Sequence, residues 1–466
     1  MGYKSVNPFD GKILKSFADM TEEQVEAAVA RADSAYEEDW SRKEISYRRS
    51  VLQRAAAILR ERVDEFARPI TLEMGKLWAE SQAEVKLSAD ILEYYANFGE
   101  KFLAPKKLDV EDGEAFVESE PVGIIFAVEP WNFPYYQLAR VVGPSFILGN
   151  VVMVKHASNV PQCAEAFEDL FREANAPAGV YTNLFVTKDQ IARLISDSRI
   201  KAVALTGSEA AGAVVAAQAG KSLKKSTLEL GGSDAFIVLE DADLDRAVAW
   251  AVWGRMNNTG QCCVASKRFI VVEKIADQFL QRFKASLEQL TPGDPMNPAT
   301  TLGPLSSEGA LQDLLEQVEA AVANGAKLAL GGRRLDRPGA FIEAGILTDI
   351  TQDNPAYYQE FFGPVALFFR VKDEAEAIAL ANDSPFGLGG SVFTKDIERG
   401  KDVARKIKTG MVFINQATWT APELPFGGIN NSGYGRELSE LGMQEFVNKK
   451  LIRVSEALPE PEFRVS

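Results

Sequence analysis

Histidine is almost absent from this chain. Among 466 residues there is one, His156, and there are three cysteines, Cys163, Cys262 and Cys263. One histidine excludes a metal site built on several imidazoles, so no metal is expected. It also leaves a cysteine–histidine hydrolase with His156 as its only base. Three cysteines cannot make a disulfide framework and fit a reducing, cytoplasmic setting. Positive charge is scarce too: 51 lysines and arginines face 66 aspartates and glutamates, a net charge of −15. Such a balance argues against nucleic acid or an anionic membrane as the main partner, but leaves room for a small anion in a locally cationic cleft. No apolar run approaches the roughly 18 residues of a membrane span. The opening Met1–Pro8 has no secretory apolar core. Internal repeats and low-complexity segments are lacking.

What is present is ordinary globular composition, 46% hydrophobic and 25% charged, enough for two or three domains. A turn at Asn7–Lys12 is followed by helix-period patterns over Thr21–Glu38, Tyr47–Phe66 and Lys76–Phe98, the first opened by a capping box, Thr21-Glu22-Glu23-Gln24. Phe102–Glu120 is irregular and charged and reads as a hairpin leaving the domain body. Continuous apolar runs then begin: Val122–Val128, Asn150–Lys155, Thr182–Thr187 and Lys201–Gly207. Helical segments Tyr135–Leu148, Pro161–Ala174 and Gln190–Asp197 separate them. Strands buried on both faces and alternating with helices predict a parallel, doubly wound sheet, with ligands beyond the strands' carboxyl ends. A second series starts near Ala235–Leu239. It continues through helix Leu244–Met256, strand Lys267–Glu273 and helix Ile275–Leu290, with later strands at Val365–Val371, Gly390–Thr394 and Gly410–Asn415. The tail Lys450–Val465 has β character and no evident partner.

Four short stretches carry chemistry. Asn257-Asn258-Thr259-Gly260-Gln261-Cys262-Cys263 sets two thiols behind a Gly-Gln turn, ahead of a strand, where a nucleophile can be presented to a cleft. Buried packing is the alternative for either thiol. Thr206-Gly207-Ser208 follows a buried strand and opens a helix, as a pyrophosphate-binding turn does, or as any strand-to-helix turn does. Glu229 in Leu228-Glu229-Leu230-Gly231-Gly232 is a carboxylate in apolar company, a base with a raised pKa or a solvated strand-edge residue. Asn132 in Pro130-Trp131-Asn132-Phe133-Pro134 is held rigidly enough to donate to an oxyanion, or to shape a turn.

In order and over nearly the whole chain, these stretches resemble the aldehyde dehydrogenase superfamily. Glu360-Phe361-Phe362-Gly363-Pro364, and Pro425-Phe426-Gly427-Gly428 followed by Ser432-Gly433-Tyr434-Gly435-Arg436-Glu437, extend the likeness. The resemblance implies Cys263 as nucleophile, Asn132 and the Cys263 N–H as oxyanion donors, and Glu229 as the base that hydrolyses a thioester. For the cofactor it implies Lys155 on the adenosine ribose, Thr206, Gly207 and Ser208 at the pyrophosphate, Glu360 on the nicotinamide ribose, and Phe362 and Trp131 lining the site. Ser158 stands where NAD-preferring relatives often have a glutamate that would repel a 2′-phosphate. NADP is therefore expected, with NAD also accepted. His156 reads as a solvated residue.

Arg140, eight residues after Asn132, matches an arginine that pairs with the substrate carboxylate in succinic semialdehyde dehydrogenases. A buried guanidinium without an anion is costly, so Arg140 facing the pocket implies an acidic substrate; an intraprotein ion pair is the alternative. Tyr136 and Thr420 join it as substrate-side residues. Tyr135 and Trp419 either narrow the tunnel or pack. A second arginine found in several such enzymes is Asn257 here, with Arg255 nearby. Cys262 is a possible redox partner of Cys263 through a strained vicinal disulfide, or a plain small side chain.

The expected architecture is the α/β aldehyde dehydrogenase fold. Residues 1–106 and 121–232, with 433–448, form a doubly wound cofactor-binding domain; 233–432 form an α/β catalytic domain; 107–120 and 449–466 form a small β oligomerisation element. Hairpin and tail are expected to pair across subunits, giving a homodimer or homotetramer. The expected function is NAD(P)-dependent oxidation of succinic semialdehyde to succinate. A broad-range dehydrogenase for aliphatic or aromatic aldehydes, a non-catalytic protein of the same fold and a His156-dependent hydrolase are the alternatives.

Overall fold

A computed structural model describes residues 2–455. Two mostly parallel sheets organise it. The first has six strands in the order Gly433–Tyr434, Lys225–Glu229, Ile200–Thr206, Ile124–Glu129, Val151–His156 and Tyr181–Asn183. All neighbours are parallel except the short Gly433–Tyr434 strand, which returns antiparallel to Lys225–Glu229. The second has seven strands in the order Lys327–Leu330, Gly345–Thr348, Val365–Val371, Ser266–Val272, Asp234–Val238, Gly390–Phe393 and Phe413–Ile414. Its only antiparallel pair is Lys327–Leu330 with Gly345–Thr348, at one edge.

The apolar runs are buried for the expected reason. Helices cover both faces, so neither side of a central strand meets water. Phe126, Val152, Val203, Phe236 and Ile270 are all fully buried. One hydrophobic cluster joins the N-terminal helices to the six-stranded sheet, and two further clusters lie on the seven-stranded one. Local chemistry sets several helix starts. Thr21 accepts from the Gln24 N–H at 3.3 Å and the Gln24 side chain answers at 2.8 Å, the expected capping box. Pro134 opens the helix Pro134–Leu148, and Gly149 closes it in the left-handed region.

Several expectations are corrected. The helical pattern Tyr47–Phe66 is two helices, Ile45–Glu61 and Val63–Met74, broken at Arg62, whose side chain clasps Glu65 and Glu173. The strand expected over Thr182–Thr187 shortens to Tyr181–Asn183, because Thr187 caps the helix Lys188–Ser196 instead. The tail does have a partner. Strand Val447–Val454 runs antiparallel to Glu114–Pro121 of the same chain, and Lys106–Leu108 lies on the other side. Hairpin and tail pair within one chain, and the far edge of Val447–Val454 has no strand partner among the described residues. Residues 456–466 of the expected oligomerisation element lie outside the described residues. Tyr3–Val6 and Ile13–Phe17, flanking the expected turn, form a small hairpin of their own.

Candidate active site

The carboxyl ends of the six-stranded sheet face the turn that precedes strand Ser266–Val272. That turn is built from unusual backbone. Asn258, Thr259 and Gly260 all have positive φ, 52°, 53° and 75°. Gly260 is required: a Cβ there would come within 2.5 Å of the Gly363 carbonyl. The strained pair is held by side chains. Asn258 donates its amide to the Asn132 carbonyl at 2.9 Å and to the Gln261 carbonyl at 3.1 Å, and its N–H reaches the buried Glu80 carboxylate at 3.1 Å. Behind the turn, fully buried Arg255 grips the carbonyls of Gly260, Phe361 and Ser266. Arg255 is scaffolding and does not enter the substrate pocket; burial brings its pKa down to about 10.

Cys263 emerges from this turn into a cavity of about 280 Å³, lined also by Trp131, Asn132, Thr206, Gly207, Ser208, Gly231, Glu360 and Phe362. The structure therefore gathers the expected nucleophile, the oxyanion donor and six of the eight expected cofactor residues around one space. The Asn132 amide is fixed at both ends: its oxygen accepts from Gln137 at 2.9 Å and its nitrogen donates to the Gln261 carbonyl at 3.0 Å, which leaves one N–H free. Ser208 caps the helix Glu209–Lys221, so the first-turn N–H groups stand at the cavity wall. Trp131 and Phe362 meet edge to face, 5.9 Å apart. A neighbouring space of about 460 Å³ shares both rings and adds Ser158, Asn159, Ser306 and Ser307. Lys155 lines neither space; it is half-buried under the Tyr3 ring, and burial lowers its pKa. A larger cleft of about 570 Å³, between Leu287 and Ala344, holds none of the expected groups.

Gly232 explains the Gly-Gly pair after Glu229. A Cβ there would lie 2.7 Å from the Cys263 carbonyl, so the strand end can approach the nucleophile turn only without a side chain. The Gly232 N–H also donates to Glu360 at 3.0 Å.

A second, narrower space opens on the other side of Cys263, with room for about 20 Å³. Phe133, Tyr136, Gln137, Arg140, Cys262, Trp419, Thr420 and Phe426 contribute to its wall. Tyr136, Arg140 and Thr420 are brought together as expected, the Tyr136 hydroxyl donating to Thr420 at 2.9 Å. Trp419 lines the space, whereas Tyr135 belongs to the core against Phe66 and Phe167. Arg140 lies between the Tyr136 and Phe426 rings, 4.7 and 4.8 Å from their centroids. It is also ion-paired, Nε to the Glu437 carboxylate at 2.6 Å. The intraprotein ion pair, one of the two expected readings of Arg140, is therefore present, and the residue also lines the narrow space. Burial is the largest influence and opposes its charge, but Glu437, Tyr136, Glu229 and Cys263 together outweigh burial and keep the charge on. Its Nη atoms meet only neutral oxygens, Tyr136 at 3.4 Å and Thr206 at 3.2 Å.

Glu229 is buried, as expected of a base. Burial and the nearby Glu437 push its pKa well up, and neither carboxyl oxygen has a hydrogen-bond partner among the described residues. It lines neither space. Glu129 was not anticipated. It too is buried without a partner, and burial and Glu437 raise its pKa. The thiols interact. The neighbouring Cys262 thiol, reinforced by burial, pushes Cys263 up, while the same neighbour relation lowers Cys262; Arg140 and Lys267 pull Cys263 back down. The pair therefore titrates as a unit. His156 is corrected: it is buried, with Nε2 at 2.9 Å from the Pro134 carbonyl and Nδ1 accepting the Ala157 N–H at 2.8 Å. Both nitrogens are engaged with backbone, which leaves none to serve a hydrolase. Burial lowers its pKa to about 4.

Sequence reasoning missed Gln137, Asn258, Glu80, Glu437 and Lys267. Only Lys267 left a visible sign, a Lys-Arg pair opening a strand that is otherwise apolar.

A cysteine and a clamped amide on one cleft, with a buried glutamate nearby, suit covalent oxidation of a carbonyl, and the chain belongs to the aldehyde dehydrogenase family, whose model matches residues 1–452. It is 49% identical to a succinate-semialdehyde dehydrogenase [NADP(+)] of Deinococcus radiodurans, over 97% of this chain and 94% of that one. It is 44% identical to a probable enzyme of the same name from Synechocystis, over 98% of this chain and all of that one. A crystal structure of succinic semialdehyde dehydrogenase from Streptococcus pyogenes in complex with NADP+ superposes with a TM-score of 0.96 at 47% identity, covering 97% of this chain and all of that one.

Proposed function

We propose that this chain oxidises succinic semialdehyde to succinate, with NADP preferred and NAD accepted. The observation that carries the substrate is the placement of the Arg140 guanidinium and the Cys263 thiol on one narrow space, with Tyr136 and Thr420 between them. A short aldehyde bearing a distal carboxylate would set its aldehyde carbon at Cys263 and its carboxylate on the two Nη groups of Arg140. The similarity to the Deinococcus radiodurans and Streptococcus pyogenes enzymes supports the same reading.

Cys263 thiolate adds to the aldehyde carbon, and the Asn132 amide and the Cys263 N–H stabilise the resulting oxyanion. A dinucleotide held in the cleft would supply the hydride acceptor, so that the adduct on Cys263 would be oxidised to a thioester. Glu229 takes a proton from water, which attacks the thioester and releases the acid. Thr206, Gly207 and Ser208 would hold the pyrophosphate at a helix N-terminus, and Glu360, Trp131 and Phe362 the nicotinamide end. Ser158, beside Lys155, would accept a 2′-phosphate.

On this reading residues 1–106 and 121–232, with 433–448, serve as the cofactor unit and 233–432 as the catalytic unit. The three-stranded sheet of hairpin and tail would present its open edge to another subunit in a homodimer or homotetramer. A cytoplasmic location agrees with three free cysteines. Among the described residues no helix is long and apolar enough to cross a membrane.

The deciding experiment is kcat/KM for succinic semialdehyde against hexanal and benzaldehyde, each with NADP and NAD. Preference for succinic semialdehyde with NADP supports the proposal. Equal rates on all three aldehydes would move the chain to the broad-range class.

A further inference from the structure

Lys267 lies four residues beyond the nucleophile and is fully buried, although it opens an apolar strand. A buried ammonium persists only where its three donors are matched by acceptors. Here they are: the Cys262 carbonyl at 2.8 Å, the Cys263 carbonyl at 2.8 Å and Glu360 Oε1 at 3.0 Å. Lys267 lines neither the cofactor space nor the substrate space, so its direct contacts with the site are these oxygens, beside the pull of its charge on the Cys263 thiol.

The first contact matters most. The Cys262 carbonyl and the Cys263 N–H belong to one peptide unit, and the chain has no cis peptide among its described bonds. In a planar trans unit the C=O and the N–H point in opposite directions. The Ala265 N–H also donates to this carbonyl, at 3.1 Å, so Lys267 and Ala265 together fix the peptide plane and aim the Cys263 N–H away from themselves, and that N–H has no acceptor among the described residues. An ammonium on the carbonyl also polarises the amide and makes its N–H a stronger donor. The third contact ties the same lysine to the Glu360 carboxylate, on the cofactor side.

We infer that Lys267 is the positioning residue of the oxyanion site: it orients and polarises the Cys263 N–H and locks that orientation to the Glu360 wall of the cofactor cleft. The inference rests on Cys263 being the nucleophile.

Two reactions of the same thiol test it. Addition to succinic semialdehyde generates an oxyanion; alkylation by iodoacetamide does not. Lys267→Met should slow the single-turnover burst of NADPH, taken like the alkylation at the alkaline plateau so that the loss of the lysine's pull on the thiol drops out, roughly tenfold to a hundredfold, somewhat less than outright removal of an oxyanion donor. The alkylation rate, taken at its alkaline plateau where the thiol is fully ionised, should change less than about threefold, since no oxyanion donor takes part in it. Lys267→Arg keeps the buried charge but has a planar fork that cannot serve three diverging oxygens. It should show the same selective loss in milder form, and it carries the test should the methionine variant not fold. Equal loss in both reactions would overturn the inference, because the lysine would then shape the turn as a whole. An unchanged burst would overturn it as well. Cys263→Ala is the control: aldehyde turnover surviving there would remove the nucleophile assignment itself, a failure separate from that of Lys267.

Discussion

The Arg140 guanidinium is bound to Glu437 through Nε while its two Nη groups remain on neutral oxygens. One carboxylate therefore keeps the buried charge in place, and the rest of the fork is open to a second. This arrangement separates the stability of the arginine from its use.

Arg140→Ala should lower kcat/KM for succinic semialdehyde by about 2 kcal/mol or more, roughly thirtyfold, with little change for hexanal. Steady-state kinetics on both aldehydes check this. Equal losses on both would make the arginine scaffolding only.

Glu437→Gln leaves the guanidinium buried without its anion. Removing one partner of a buried pair costs on the order of 3 kcal/mol, so the melting temperature should fall. Succinate should restore more stability to this variant than to the parent, because the freed guanidinium gains a carboxylate. Thermal shift with and without succinate measures both effects.

Ser158→Glu places a carboxylate where a 2′-phosphate would lie. Discrimination should move from NADP toward NAD by at least about tenfold in kcat/KM, about 1.4 kcal/mol, through like-charge repulsion. Parallel titrations with the two cofactors decide it.

Glu229 must be ionised to accept a proton from water, and burial together with Glu437 holds its pKa well above the usual carboxylate range. Turnover should therefore fall as pH drops through that raised value, at a higher pH than an exposed glutamate would give. Glu229→Gln should keep the NADPH burst and cut steady-state turnover by roughly a hundredfold or more. Loss of the burst would assign the residue to an earlier step.

His156 is buried neutral, with a pKa of about 4 in the fold against about 6.5 when unfolded. The unfolded chain binds the extra proton first. The contribution is therefore complete above about pH 6.5 and lost progressively toward pH 4, on the order of 3 kcal/mol in all. Melting temperatures from pH 7 to 5 should fall more steeply for the parent than for His156→Asn.

Much was readable along the chain because it depends on neighbours in sequence. Apolar runs such as Val122–Val128 mark strands covered on both faces, Thr21 and Gln24 cap one helix turn, and the Gly-Gln-Cys-Cys and Leu-Glu-Leu-Gly-Gly stretches carry their chemistry in consecutive residues. The candidates Cys263, Glu229 and Asn132 were picked out from those stretches, with their roles implied by the family resemblance.

Partners far apart in sequence were not readable. Whether Arg140 had an anion depended on Glu437, almost three hundred residues later, and whether His156 met water depended on how the helix at Pro134 packs. The tail strand found its partner in Glu114–Pro121 across more than three hundred residues. Sequence by itself determined the elements and the reactive groups, since propensity, capping and motif chemistry are local. Tertiary structure alone decided charge balance and burial: an ion's fate is set by what lies within a few ångströms, and the chain's folding, not its order, brings those groups there.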